Sequence, residues 1–510
     1  MRSLLSQAWE WLMDALSEPG PRRSVTMAVG LLGAGLLFGL VAVPSPTRLE
    51  PPQAVSEPVV TTAFVCPDFR GSSKGLRTTV IATAPRAITG NRAKGTAGLK
   101  YIRSSQSPRS LVRFNAKSGS AIALETSRTR GALVGIARAG LAPGFSGGQL
   151  SVQTSGVSRA MTGVHCADVG SQKWFVGGGA TNGQRTFLFL SNAENRRATV
   201  DVDFYGPNGP IDTPSSRGIV VAARSTRSVA IDRLVPGVAR LAMRVSVTSG
   251  RLGLAIRSSD RRGSVPLGSD FIPESVAPAQ TVVIPALPAG AGTRSLLIVA
   301  PGNEDADVQI KVIGADGTFS PSGASRVTVG ARSVRRVDLS SILSRESSGL
   351  LIQSDRPVTA GVNVRLKPRR DGSTDYAWSA ATPAISTIAV EPVSRRGNGF
   401  NAILIASAPQ GAGQLELTYT SLGGAVRKRI IAVGAGRTVS VAMGFGLGSA
   451  WFTTSVRALP GSGPVYAGRL QTLKTTRGAL FTISPLRDAR INVDVPQALP
   501  DLSAAVPSAF

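Results

Sequence analysis

The chain has 510 residues, with 57 Lys and Arg against 30 Asp and Glu, a formal net charge of +27, and only one histidine and two cysteines. That length argues against one giant core, since single cores rarely pass roughly 250 residues. One histidine and two cysteines are too few for the usual transition-metal ligand sets, so no cofactor is implied. The 57 glycines, 33 prolines and 5% aromatics favour many short strands over long helices. Arginine in place of lysine fits a GC-rich genome, but it leaves the deficit of acids unexplained. Such a surface attracts polyanions.

From the N-terminus, Leu4, Leu5, Ala8, Trp9, Leu12, Ala15 and Leu16 recur at helical spacing. They predict an amphipathic helix within residues 1–24, lying at the cytoplasmic membrane interface or docked on a partner helix. Val25 to Val43 is uncharged and long enough to cross about 28 Å of hydrocarbon as a single transmembrane helix. Arg22 and Arg23 precede it, so the N-terminus is expected in the cytoplasm and the large domain outside the plasma membrane. A cleaved signal peptide is the rival reading, but prolines stand where its cleavage site would be. Gly35 and Gly39 give a GxxxG spacing that would let two such helices approach closely. Residues 44–58 are proline-rich and predict an extended tether.

Residues 59–165 form a basic β unit. From Phe69 to Leu124 there is no acid, but there are Arg70, Lys74, Arg77, Arg86, Arg92, Lys94, Lys100, Arg103, Arg109, Arg113 and Lys117. Interleaved Gly and Ser make this an expected anion-binding surface. The alternative is an ordinary solvated face. Nucleic acid is a poor partner, because only Tyr101 and Phe114 are available there for stacking. Cys66 and Cys166 lie in β-like segments and are expected to pair outside the cytosol.

Downstream, three stretches align at a period of about 107 residues. Phe187 to Asn192, Ser295 to Ala300 and Ala402 to Ser407 are apolar strands. Each is followed by strict alternation: Val200, Val202, Phe204; Val308, Ile310, Val312; Leu415, Leu417, Tyr419. Turn residues come next, and then Arg224, Arg332 and Arg437 align, 108 and 105 residues apart. Each unit then closes with Leu252 to Arg257, Val358 to Arg365 and Val465 to Leu470. The fold class expected is all-β: tandem antiparallel β-sandwich units at 166–285, 286–392 and 393–491, a loose tail at 492–510, and 59–165 as a diverged copy. A propeller is the alternative, although its blades repeat at roughly 40 to 50 residues.

The run from Cys166 to Gly183, with the Ser191-Asn192 strand end and the Val200 to Gly209 hairpin, resembles a family of actinobacterial exported proteins of unknown function. The resemblance implies one N-terminal membrane span and a Gly-, Ala- and Arg-rich β ectodomain. It brings no activity and no site residues.

Catalytic patterns are sparse. Gly144-Phe145-Ser146-Gly147-Gly148 fits the G-x-S-x-G of serine hydrolases, but a strand follows Ser146 where a helix is needed. His165 is the sole imidazole, and Asp168 follows it in the wrong chain order for an α/β-hydrolase triad. Glu304, Asp305 and Asp307 lack EF-hand spacing, and Asp201 and Asp203 look like the wet side of a sheet. The expected function is therefore a non-catalytic cell-envelope protein: a membrane-tethered β-sandwich stalk contacting an anionic wall polymer, a lipid surface or an envelope partner. The alternatives are an accessory subunit of a membrane enzyme or transporter and, less so, a hydrolase built on Ser146.

Overall fold

Period-two alternation buries one face of each strand and wets the other. Ala198–Gly206, Ala306–Ile313 and Gly413–Ser421 all bury the residues that alternation picks out. In the computed structural model the described residues run from 55 to 495, apart from 69–74, 91–92, 103–111, 115–120, 127–130 and 169. The amphipathic helix, the Val25–Val43 span, most of the tether and the tail beyond 495 lie outside the described residues. Among the described residues, no helix is long and apolar enough to cross a membrane.

Each copy of the repeat builds two antiparallel sheets in one strand order. In the 166–285 stretch, one sheet runs Gln172–Val176, Ala242–Ser249, Ala198–Gly206, with Gly209–Ile211 and Ile219–Val221 sharing the outer edge. The other runs Ser225–Ala230, Gln184–Asn192, Gly253–Arg262, Val265–Ile272. The last copy repeats this as Ile388–Arg396, Ala450–Ala458, Gly413–Ser421, Val426–Val433 and as Arg437–Ala442, Phe400–Ala408, Tyr466–Thr475, Gly478–Pro485. In the copy between them, the 19-residue strand Ser348–Leu366 passes from one sheet into the other. The chain from Thr61 to His165 has the same order again: Thr61–Cys66, Leu133–Ala139, Gly95–Tyr101, Val112–Phe114, and Ala121–Thr126, Leu76–Thr83, Ser146–Gln153, Ala160–His165.

Two details of the repeat differ from the sequence reading. The strand pairing begins at Phe187, Ser295 and Ile403, so the last copy is offset by one residue from the expected Ala402. The residue matching Arg224 and Arg332 is consequently Gly436. All three have positive φ (48°, 52° and 69°), a conformation that glycine adopts without strain. In addition, the strands taken to close each unit are only penultimate: Val265–Ile272, Tyr376–Ala380 and Gly478–Pro485 follow them.

The sandwiches do not run end to end as a stalk. The first strand of each copy packs against the penultimate strand of the next, and the last copy packs back on the first. At each junction a small residue admits the neighbour. A Cβ on Gly361 would lie 2.4 Å from the Val176 oxygen, one on Gly468 2.6 Å from Ala286, and one on Gly148 2.7 Å from Pro392. Ala255 is the second copy's counterpart, and beside it Gly253 faces Val65. The final strands of the copies, Ala160–His165, Val265–Ile272, Tyr376–Ala380 and Gly478–Pro485, touch in turn and close a ring about a central axis. The cyclic plan is that of a propeller, with a whole sandwich in place of each blade.

The cores merge across junctions. Leu297, Val299 and Trp378 join the second copy's core, and Ile405, Phe481 and Ile483 join the third's. Within the Cys166 to Gly183 run, Gly177 serves the same packing, since a Cβ there would sit 2.7 Å from the Trp378 ring. Cys66 and Cys166 form a disulfide across 100 residues, where the chain leaves the first copy for the second.

Gly148→Val forces two methyl groups into the first-to-last junction, against Pro392 and Val393. Overpacking of this kind costs about 1–3 kcal/mol. The thermal midpoint of the variant should fall, while Ala255→Gly at the equivalent junction should change it far less; paired melting curves check this.

Candidate functional site at the ring axis

The four axis strands are each the edge of a sheet, so their outer backbone N–H groups lack ladder partners. Two buried carboxyls meet them. Asp270, on Val265–Ile272, accepts the Gly163 N–H at 3.1 Å and the Thr482 hydroxyl at 2.9 Å. Asp375, just before Tyr376–Ala380, accepts the Met161 and Phe481 N–H groups on Oδ2 at 3.3 and 3.1 Å. Carboxyls of the second and third copies thus hold the first and fourth together.

Burial is the main influence on both acids. It pushes Asp375 up to about 8 against the pull of three backbone N–H donors and Arg159. It pushes Asp270 well above the ordinary carboxylate range, and the neighbouring Asp375 adds to the rise. Oδ1 of Asp375 is buried with no hydrogen-bond partner among the described residues. Arg159 reaches from the first copy to the carbonyls of Arg477 and Gly478 in the last.

Beside the axis, a cavity of about 450 Å³ opens where the first, second and fourth copies meet. Its charged groups are already engaged. Glu274 takes Lys173 at 2.7 Å and Arg487 at 2.9 Å. Burial alone would raise Glu274, but these two cations hold it below its usual range. His165 Nε2 lies 2.9 Å from Glu391, which also faces the fully buried Arg469 at 3.2 Å. Glu391 is likewise lowered, burial being outweighed by Arg469 and His165. Both arrangements bind copies to one another, and the pocket is nearly neutral.

Ser146, His165 and Asp168 all line this cavity but do not form a relay. The Ser146 hydroxyl donates to the Gly144 carbonyl at 3.0 Å, His165 meets Glu391, and Asp168 pairs with Arg490 at 3.2 Å. Ser146 begins a strand, so there is no nucleophile elbow. Asp203 is shared by Arg217 and Arg244, Asp201 accepts the Gly218 N–H, and Glu304 pairs with Arg356. Among the described residues no cluster of three or more metal-ligating side chains occurs.

Of the basic residues expected to form one surface, Arg70, Lys74, Arg92, Arg103, Arg109 and Lys117, and the side chain of Arg113, lie outside the description. Arg77 is exposed on one sheet, Arg86 on a short helix, Lys94 before the strand Gly95–Tyr101 of the other sheet, and Lys100 half-buried within it.

The groups that shape the axis, Asp270, Asp375, Glu391 and Arg469, were not singled out from the sequence. A trace of one is present: Glu391 interrupts an otherwise apolar run, Ile388-Ala389-Val390-Glu391-Pro392-Val393.

A family model described as a family of unknown function, DUF5719, matches residues 121–444. No curated protein matches the chain. Two solved structures of β-glucuronidase 2 from Bacteroides uniformis are similar over part of it. One, covalently bound to cyclophellitol-6-carboxylate aziridine, is 13% identical with a TM-score of 0.10, covering 38% of this chain and 24% of that one. The other, a calcium-binding mutant, is 14% identical with a TM-score of 0.11 and the same coverage. The chain therefore spans about a quarter of their length, 24%, and likeness at this level carries no argument about activity.

Asp375 holds its proton more tightly folded than unfolded, so its contribution to stability is complete below about pH 4 and is lost as pH rises toward about 8. Asp375→Asn keeps an oxygen acceptor and removes the titration. The difference in unfolding free energy between variant and parent should shift in the variant's favour from pH 5 to pH 8, as measured by denaturant unfolding at both values.

Proposed function

The chain belongs to the DUF5719 family of unknown function, and we propose that it is a non-catalytic cell-envelope protein whose ring of sandwiches, carried on a membrane tether, binds an anionic polymer or lipid surface. One observation carries this reading: several of the few acids are engaged by cations within the molecule. Asp203 and Glu274 each hold two cations, Glu391 faces Arg469 and His165, and Asp260 pairs with Arg365. With 57 basic residues against 30 acids, basic groups far outnumber the acids that could neutralise them, and Arg77, Arg86 and Lys94 stand exposed.

The uncharged Val25 to Val43 run, with Arg22 and Arg23 before it, supports a single span with the N-terminus cytoplasmic. The Cys66–Cys166 disulfide supports an oxidising, extracytoplasmic setting for the ring. The absence of catalysis is supported by Ser146, His165 and Asp168 being committed to separate partners.

The test is binding of the full chain, in neutral detergent, to poly(glycerol phosphate) and to neutral dextran. Affinity for the polyphosphate should fall at least about tenfold between roughly 50 and 300 mM salt, as screening of exposed charge requires. It should fall further when the basic residues between Phe69 and Leu124 are neutralised. Equal binding of dextran, or no binding at low salt, would overturn the reading.

A further inference from the structure

The corresponding outer edge of each copy is finished differently in the last one. In the first copy its described part is Val112–Phe114. In the second it is broken into Gly209–Ile211 and Ile219–Val221, and in the third into Thr318–Phe319 and Arg326–Val329. Short, interrupted edges of this kind discourage pairing with other chains. In the last copy the edge is one unbroken strand, Val426–Val433, in register with Gly413–Thr420 along its whole length and, among the described residues, with no strand on its far side.

Its side chains are also unusual. Ile431 and Val433 enter the core, but Val426 is 38% and Ile430 60% exposed. Phe445, 63% exposed, stands beside Gly446, which lies against Arg427. Between the two exposed aliphatics come Arg427, Lys428 and Arg429. Lys428 is engaged by Glu416 at 3.3 Å, whereas Arg427 and Arg429 form no ion pair among the described residues. Arg427 donates to the Val426 carbonyl of the same strand at 2.9 Å, a local contact that an added strand would displace. An edge strand with apolar contact area and arginines that have no acid partner is suited to strand addition.

We propose that Val426–Val433 is a docking edge for an extended, acidic strand of a partner protein, which adds to the sheet of the last copy. Charge decides the occupant. A second copy of this chain would lay Arg427, Lys428 and Arg429 opposite like charges, which is destabilising, and would bring together two molecules of net charge +27. An acidic strand meets both arginines and covers Val426 and Ile430. The proposal is independent of polymer binding.

The probe is a fluorescent peptide alternating Val or Thr with Glu, titrated with the full chain by anisotropy, beside the same peptide N-methylated at alternate residues and a poly-Glu control. Saturable binding by the unmodified peptide is expected, weakened at least about tenfold by N-methylation and by Arg427→Glu with Arg429→Glu, while the melting curve of the double variant stays that of the parent. Equal binding of the N-methylated peptide or of poly-Glu would reduce the contact to bulk charge and overturn the proposal. So would concentration-dependent dimerisation lost in Ile430→Lys, which would make a second copy the occupant.

Discussion

Closing a ring of sandwiches brings an unpaired strand edge from every copy to the same axis, and each edge carries N–H groups shut off from water. A buried N–H without a partner costs of order 1–3 kcal/mol, so a ring that left these unmet would open. Asp270 and Asp375 supply the acceptors. A side chain can serve here where a fifth strand could not, because it reaches two neighbouring copies at once. Burial in this low-dielectric site raises both carboxyls, Asp375 to about 8 against the pull of its backbone donors and Arg159.

The rest of the architecture keeps those strands within reach. Small residues at 148, 255, 361 and 468 let neighbouring sheets approach, and the cores run into one another across the junctions. The first-to-last junction is the one no peptide linkage enforces. It is also where His165, Glu391, Arg469 and Arg159 converge, alongside the two carboxyls. Removing one member of a buried ion pair leaves an uncompensated charge, so this network discriminates strongly against a displaced junction even if its net contribution to stability is small. The acids used in this way are not available to neutralise basic groups elsewhere, which links the packing to the excess of basic residues in the chain.

Strand content, turns, the disulfide and a repeat near 107 residues were legible because half-buried strands alternate and glycine-rich turns punctuate them. Register in the last copy was not. Ala402, Ile403, Leu404, Ile405 and Ala406 are apolar on both faces, Leu404 in its own core and Ile405 in its neighbour's, so hydrophobicity alone cannot fix which residue faces which way. The axis strands were missed for the opposite reason: Gly268, Ser269 and Asp270 look like loop residues until their partners in other copies are known. The first copy's kinship was obscured by its long basic segment, although its strand order is the same. Ring closure itself depends on contacts between residues hundreds of positions apart, to which local periodicity is blind.

The most direct test of the axis is amide hydrogen exchange at Met161 and Phe481, two residues far apart in sequence that share the Asp375 carboxyl. In the parent and in Asp375→Asn both amides should exchange slowly. In Asp375→Ala both should lose protection together while core amides such as those of Val200 and Leu404 stay slow. If either amide keeps its protection after the carboxyl is removed, the two strands are not held through Asp375 and the account of ring closure is wrong.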